Sequence, residues 1–151
     1  MTEYKATDKH LIDRFQRFTF ALFTLHHSWN RLATDAMKRH GLKGAYALYL
    51  VTIADEDEAM TAARLAELCQ RDKADVSRAI SVFQEKGILE KHGSNRYRMP
   101  LRLTEEGRKL VDEIRGQVVD VLESAGAGLS EEMRENMYQS LSLIAENMKK
   151  I

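Results

Sequence analysis

A heptad-like pattern near the start of the chain constrains the fold more than any other feature. Between residues 8 and 40, apolar side chains recur at alternating spacings of four and three, which is a period of 3.5; they are Leu11, Phe15, Phe18, Leu22, Leu25, Trp29, Leu32 and Ala36. That period predicts one long helix with a seam for another helix. Thr7 or Asp8 can cap its start, and Gly41 can end it.

This helix is too long to be covered by a compact subunit. A helix of 33 residues, from 8 to 40, spans about 50 Å. A globule of 151 residues has a radius of gyration of roughly 15 Å. Since the overhang carries Phe and Leu, we expect a partner to cover it. Packing within the chain is the alternative, and the length of the helix favours an interface between subunits.

The rest of the chain predicts a mainly α protein with one small β-hairpin. Apolar periodicity and capping residues predict five further helices: 45–54, Thr61 to about Gln70, 73–86, Thr104 to before Gly126, and Ser130 to the end. In the second of these, Leu65, Leu68 and Cys69 are expected to face inward. Residues 88–91 and 96–103 are predicted as strands around a turn at 92–95. We expect one domain over 1–151, in which 8–40 and 105–151 are dimerisation helices.

Composition argues against several classes of protein. The longest unbroken apolar run, Ala45 to Val51, is far too short for a membrane span, and the first residues lack the layout of a signal peptide. A single cysteine excludes an internal disulfide framework. We therefore expect a cytoplasmic protein without a membrane partner.

Charge is unevenly distributed although the net charge is zero. Residues 61–109 have a balance of +4, and the remaining residues have a balance of −4. A basic region is the electrostatic requirement for binding phosphates. The middle of the chain is therefore the candidate for contact with nucleic acid.

The same region has the order helix, tight turn at Arg71-Asp72, helix, hairpin, which is the layout of a winged helix-turn-helix within 45–104. The helix after the turn buries Val76, Ala79, Ile80 and Phe83, so its other face is free to enter a major groove. Its candidate DNA-binding residues are Arg71, Lys73, Ala74, Asp75, Ser77, Arg78 and Ser81.

These side chains have different possible roles. Arg78 can bind guanine in a bidentate manner, and Ser77 can bond a base edge or a phosphate. Asp75 can accept from a cytosine amino group, or it can orient Arg78 or Lys73. On the hairpin, Arg96 and Arg98 suit the minor groove, and which of the two enters it is open.

The chain resembles the MarR family of transcriptional regulators over about residues 8–151. The motifs that carry the resemblance are Leu65-Ala66-Glu67-Leu68, Asp72-Lys73-Ala74-Asp75-Val76-Ser77-Arg78, Glu85-Lys86-Gly87-Ile88-Leu89 and Leu101-Arg102-Leu103-Thr104-Glu105-Glu106-Gly107. The resemblance implies an obligate homodimer that binds double-stranded DNA at a pseudo-palindromic operator, with a ligand pocket between the dimerisation and DNA-binding regions. The wing departs from the family, because the segment from Ser94 to Arg98 has no aspartate.

Candidate ligand-binding residues are His26, Trp29, Tyr46 and Tyr49, which can line a pocket for a small aromatic or anionic effector. Core packing explains the same residues equally well. The sequence contains no pair of histidines spaced i, i+4, no Gly-rich phosphate loop and no nucleophile motif. We therefore expect no metal, no cofactor and no catalytic residues, and Cys69 reads as an inert core residue.

The leading hypothesis is a repressor that binds DNA sequence-specifically and responds to a small ligand. The alternative is a winged-helix module that binds an acidic protein partner through the same basic face. Retention on duplex DNA at low salt distinguishes the two.

Overall fold

The computed structural model describes residues 6–55, 60–91 and 99–151. This part is mainly helical, and its helices are α1 Ala6–Lys38, α2 Tyr46–Asp55, α3 Ala62–Leu68, α4 Lys73–Glu85, α5 Glu105–Ala125 and α6 Glu131–Met148. The chain forms two compact units, and the boundary between Ile114 and Arg115 lies within α5.

Helix ends lie close to the capping residues expected from the sequence. The side-chain oxygens of Thr61 and Ser130 each accept a hydrogen bond from a backbone N–H three residues later, at 3.2 Å in both cases. The predicted first helix, 8–40, is displaced by two residues at each end. Its C-terminal turn closes at Gly41, whose φ of 62° lies in the left-handed region that glycine adopts most easily.

The core of the first unit lies where α2, α3 and α4 meet. The largest fully buried side chains include Tyr49, Leu50, Leu65 and Phe83. The prediction that Leu68 faces inward is wrong, because its side chain is 39% exposed. The covered arc of α3 is centred on Leu65, Ala66 and the half-buried Cys69, and Leu68 lies beyond its edge.

The predicted β-hairpin wing is not confirmed. The described residues contain no strand, and the described part of the expected hairpin, 88–91 and 99–103, holds one antiparallel bridge between Leu89 and Leu103. Beside the bridge, Glu90 N donates to Arg102 O (2.9 Å), and Leu101 N donates to Met60 O (2.6 Å). The hairpin turn and residues 96–98, including Arg96 and Arg98, lie outside the described residues.

Proline limits this pairing. Pro100 lacks an N–H group and cannot donate to a ladder. Thr104 then caps α5, since its Oγ1 accepts from Gly107 N at 3.0 Å. Between Pro100 and Thr104, the return segment therefore consists of Leu101 to Leu103, where the bridge lies.

In the second unit, the turn between α5 and α6 is closed by an arginine. Arg134 Nη2 donates to Gly126 O at 2.8 Å. Its guanidinium occupies the space that a Cβ on Gly126 would require. A glycine at this position therefore allows the side chain from α6 to reach the end of α5.

Both terminal helices leave apolar side chains exposed. On α1, most of the predicted seam is at least 39% exposed: Leu11, Phe15, Phe18, Leu22, Leu25 and Trp29. On α6, the exposed apolar residues include Met133, Met137, Leu141, Ile144 and Met148. Within the described part of the chain, no helix has the length and hydropathy needed to cross a bilayer.

Candidate nucleic-acid interface

A short turn sets the start of α4. Arg71 N donates to Ala66 O (2.9 Å) and Gln70 N donates to Glu67 O (3.1 Å), which is the Schellman pattern of a helix C-terminus. Gln70 adopts a φ of 49° at the position where glycine is usual. Sequence reasoning missed this feature, because glutamine gives no signal for left-handed backbone.

Asp72 ends the turn and begins α4. Its Oδ1 accepts from Ala74 N (2.7 Å) and Asp75 N (3.3 Å), so the carboxylate satisfies two N–H groups at the positive end of the helix. Hydrogen bonds at the C-terminus of α3 and at the N-terminus of α4 therefore set the direction in which α4 leaves the turn.

The two faces of α4 have opposite environments. Val76, Ala79 and Phe83 are fully buried. The other face exposes small and cationic residues: Lys73, Ala74, Ser77 and Arg78, with Arg71 exposed in the preceding turn. Small side chains let a helix approach base edges closely, and cations attract phosphates.

Two of the predicted site residues are less accessible. Ser81 is half-buried, and its hydroxyl donates to Ser77 O within the same helix at 3.1 Å. Asp75 is also half-buried, and it contacts another helix. The fully exposed part of the candidate interface therefore lies in the first two turns of α4.

Asp75 accepts hydrogen bonds through both carboxylate oxygens. Tyr49 Oη of α2 donates to Oδ2 at 2.6 Å, and Arg78 Nη2 donates to Oδ1 at 3.4 Å. The Tyr49 hydrogen bond is the main reason that the pKa of Asp75 lies below its usual value. Burial, followed by contact with this carboxylate, raises the pKa of Tyr49 well above its usual range.

Sequence reasoning did not predict this contact. Tyr49 and Asp75 are 26 residues apart in the chain, and no local spacing relates them. Of the roles left open for Asp75, orientation of Arg78 is the one for which the structure provides a contact.

The base of the wing is tied to α5. Thr104 Oγ1 donates to Gly87 O (2.6 Å) and lies 3.1 Å from Ile88 O, while Thr104 N donates to Ile88 O (3.0 Å). Gly107 packs directly against the Ile88 carbonyl. The Leu-Thr-x-x-Gly motif therefore joins the segment after α4 to the start of α5.

The candidate ligand-binding residues separate into two pairs. Tyr46 and Tyr49 are buried on α2, with ring centroids 5.9 Å apart. His26 and Trp29 are exposed on α1. In the described part of the chain, Tyr46 also contacts Phe83 and makes no ring contact with Trp29. A ligand role for these residues stays a prediction.

Comparison with known proteins identifies the region that contains this interface. The model of the MarR family matches residues 40–96. None of the curated proteins compared with the chain matches it significantly in sequence. Solved structures match over most of their length.

Three of these structures are informative. Staphylococcus aureus MarR, in complex with salicylate and kanamycin, has a TM-score of 0.79 at 17% identity, over 97% of this chain and 99% of its own. The S. aureus MepR–DNA complex has a TM-score of 0.75 at 19% identity, over 87% and 97%. CouR from Rhodococcus jostii RHA1, bound to p-coumaroyl-CoA, has a TM-score of 0.71 at 20% identity, over 85% and 91%.

Because the sequence identities are low, the likeness to the solved structures shows a shared winged-helix fold. The family model adds a match in sequence over the helix-turn-helix. The resemblance predicted from the motifs is confirmed: residues 40–96 match the MarR family model, and the chain has the fold of solved MarR transcriptional regulators.

Proposed function

We propose that the protein is a transcriptional regulator that binds double-stranded DNA sequence-specifically as a homodimer. The observation that carries the proposal is the free face of α4, where Lys73, Ala74, Ser77 and Arg78 are exposed while the opposite stripe is buried. A relative with the same fold, MepR, is known in complex with DNA.

In this proposal, α4 lies in the major groove. Arg78 donates to a guanine, and Ser77 contacts a base edge or phosphate. Lys73 and Arg71 neutralise phosphates, which makes binding dependent on salt. Arg96 and Arg98 contact the adjoining minor groove.

Dimerisation is supported by the exposed seam of α1. An apolar stripe that runs the length of a 33-residue helix is costly to leave in water. We propose that a second chain covers it, which would place the two copies of α4 about 34–36 Å apart on a pseudo-palindromic operator.

The dimer can be tested by Leu22→Glu, with Thr24→Glu as the matched control, since both residues lie on the exposed surface of α1 and only Leu22 belongs to the seam. Light scattering after gel filtration should show a monomer for Leu22→Glu and a dimer for Thr24→Glu. A dimeric Leu22→Glu protein would exclude the seam as the interface.

We further propose that a small aromatic or anionic effector releases the protein from DNA, as expected for a repressor that acts in the cytoplasm. The support is that salicylate and p-coumaroyl-CoA, both of which carry an aromatic ring, are bound by proteins of the same fold. Salicylate should raise the melting temperature and lower the affinity for DNA. An unchanged affinity would argue against release by this class of ligand.

Selection of bound duplexes from a random pool tests the proposal for DNA directly. We expect a palindromic consensus with half-sites about one helical turn apart. Failure to enrich any sequence, combined with no retention on duplex DNA at low salt, would favour the protein-interaction module.

Two variants then separate base contacts from phosphate contacts. Arg78→Ala should cost about 1–3 kcal/mol and relax the preference at one position of each half-site, whereas Lys73→Ala should weaken binding to all sequences and reduce the salt slope by about 1. An Arg78→Ala protein that keeps the full base preference would refute the assigned role.

A further inference from the structure

We propose that Tyr49 and Asp75 are positioning residues, in which the Tyr49 hydroxyl holds the Asp75 carboxylate and this carboxylate orients the guanidinium of Arg78 toward a base edge. The inference rests on the proposed function of α4 as a recognition helix. It assigns to Asp75 a role in specificity that involves no contact with a base.

Both carboxylate oxygens of Asp75 accept hydrogen bonds from within the chain. One accepts from Tyr49 at 2.6 Å and the other from Arg78 at 3.4 Å. A carboxylate that read a cytosine amino group would need an unshared lone pair directed toward the DNA, and each oxygen of Asp75 already directs one lone pair to a donor of the chain. Asp75 is half-buried, and its stronger hydrogen bond joins it to the protein core.

Tyr49, which holds the carboxylate, is fixed by its surroundings. Tyr49 is fully buried, and its ring stacks on Tyr46 with centroids 5.9 Å apart. An exposed ion pair between residues spaced i, i+3 contributes little by itself, since both side chains remain mobile. Holding the carboxylate from α2 restricts one partner of the Arg78 pair before DNA arrives.

Arg78 keeps donors available for DNA while it contacts Asp75. Its side chain is 66% exposed, so its remaining N–H groups are accessible. A restricted guanidinium loses less conformational freedom when it binds. The carboxylate beside it also disfavours a shift of the guanidinium toward the negatively charged backbone. Both effects favour discrimination among bases over general affinity.

The test compares Tyr49→Phe with Tyr46→Phe. Both residues are buried on α2, but within the described residues only Tyr49 has a hydrogen bond through its hydroxyl. The assay measures Kd for the duplex obtained by selection and for a scrambled duplex, and the ratio of the two is the specificity. No effector is added, so that the predicted ligand role of Tyr46 and Tyr49 does not affect the comparison.

We expect Tyr49→Phe to lower this ratio about five- to tenfold, which is less than the full contribution of one hydrogen bond to a charged group because the effect reaches Arg78 indirectly. Tyr46→Phe should change it less than about twofold. The slope of affinity against salt should be unchanged, because no charge is altered. Asp75→Asn provides a second variant if Tyr49→Phe folds poorly. It keeps an acceptor for the Tyr49 hydroxyl but removes the negative charge that holds Arg78. We expect it to lower the ratio and to strengthen binding to the scrambled duplex.

A measurement without DNA checks the hydrogen bond itself. In a carbon-13 NMR titration, the pKa of Asp75 should rise in Tyr49→Phe and stay unchanged in Tyr46→Phe. If the wild-type protein prefers no duplex, the proposed function fails. If it does prefer one and Tyr49→Phe retains the full ratio, the proposed function stands and the positioning role is overturned.

Discussion

Replacing Gly107 by alanine should destabilise the protein, although alanine is the better helix former. Gly107 lies in the first turn of α5 and is buried. A Cβ at this position would overlap the Ile88 carbonyl oxygen and lie 3.0 Å from Leu103 Cδ2. Since the main obstacle is backbone rather than a flexible side-chain end, α5 or the segment at Ile88 must move.

The size of the effect follows from what that movement disturbs. Thr104 holds the two segments together through hydrogen bonds of 2.6 Å to Gly87 O and 3.0 Å to Ile88 O. Losing both costs about 2 kcal/mol, and overpacking adds about 2 kcal/mol. Alanine returns about 1 kcal/mol through helix propensity. We therefore expect a net loss of about 3 kcal/mol.

Gly116→Ala is the matched control, because a Cβ at this exposed position of the same helix would meet nothing within 4 Å. It should stabilise the protein by up to about 1 kcal/mol. Urea unfolding followed by circular dichroism, at one fixed protein concentration, should separate the two variants by roughly 2 M in midpoint. Equal midpoints would refute the argument that contact with Ile88 requires glycine.

Three further outcomes are expected. Asp72→Ala should cost about 1 kcal/mol by removing the cap of α4, and Asp72→Asn only a few tenths, as measured by urea unfolding; equal losses would count against capping. The pKa of Tyr49 is raised in the folded state, so its contribution to stability is complete below about pH 10 and is lost as the pH rises toward the folded value. The free energy of unfolding should therefore fall more steeply above this pH in wild type than in Tyr49→Phe, and parallel curves would contradict the raised pKa. Gly126→Ala should displace the Arg134 guanidinium from its hydrogen bond and cost about 1 kcal/mol in thermal unfolding, and an unchanged melting temperature would show that the arginine relocates freely.

The interface was predictable from the sequence as far as it depends on one helix. The spacing of Val76, Ala79 and Phe83 predicts which face of α4 is buried, so the exposure of Ser77 and Arg78 follows. The partial burial of Asp75 was not predictable in the same way, because it depends on the contact with Tyr49 of α2.

Beyond one bridge, the two strands of the wing stay a prediction. Alternating residues predicted two strands, but the described part contains only the bridge between Leu89 and Leu103. Alternation reports which side chains face inward, and both leucines are indeed buried. It does not report how many backbone groups find a partner.

The amino-acid order alone determined where the helices begin and end to within about two residues, since the caps at Thr61, Asp72 and Ser130 and the apolar periods act over about one turn. Only the tertiary structure decided that Tyr49 of α2 meets Asp75 of α4, and that Gly107 meets Ile88. Those contacts join residues far apart in the chain, and they form because the packing of whole helices brings the side chains together.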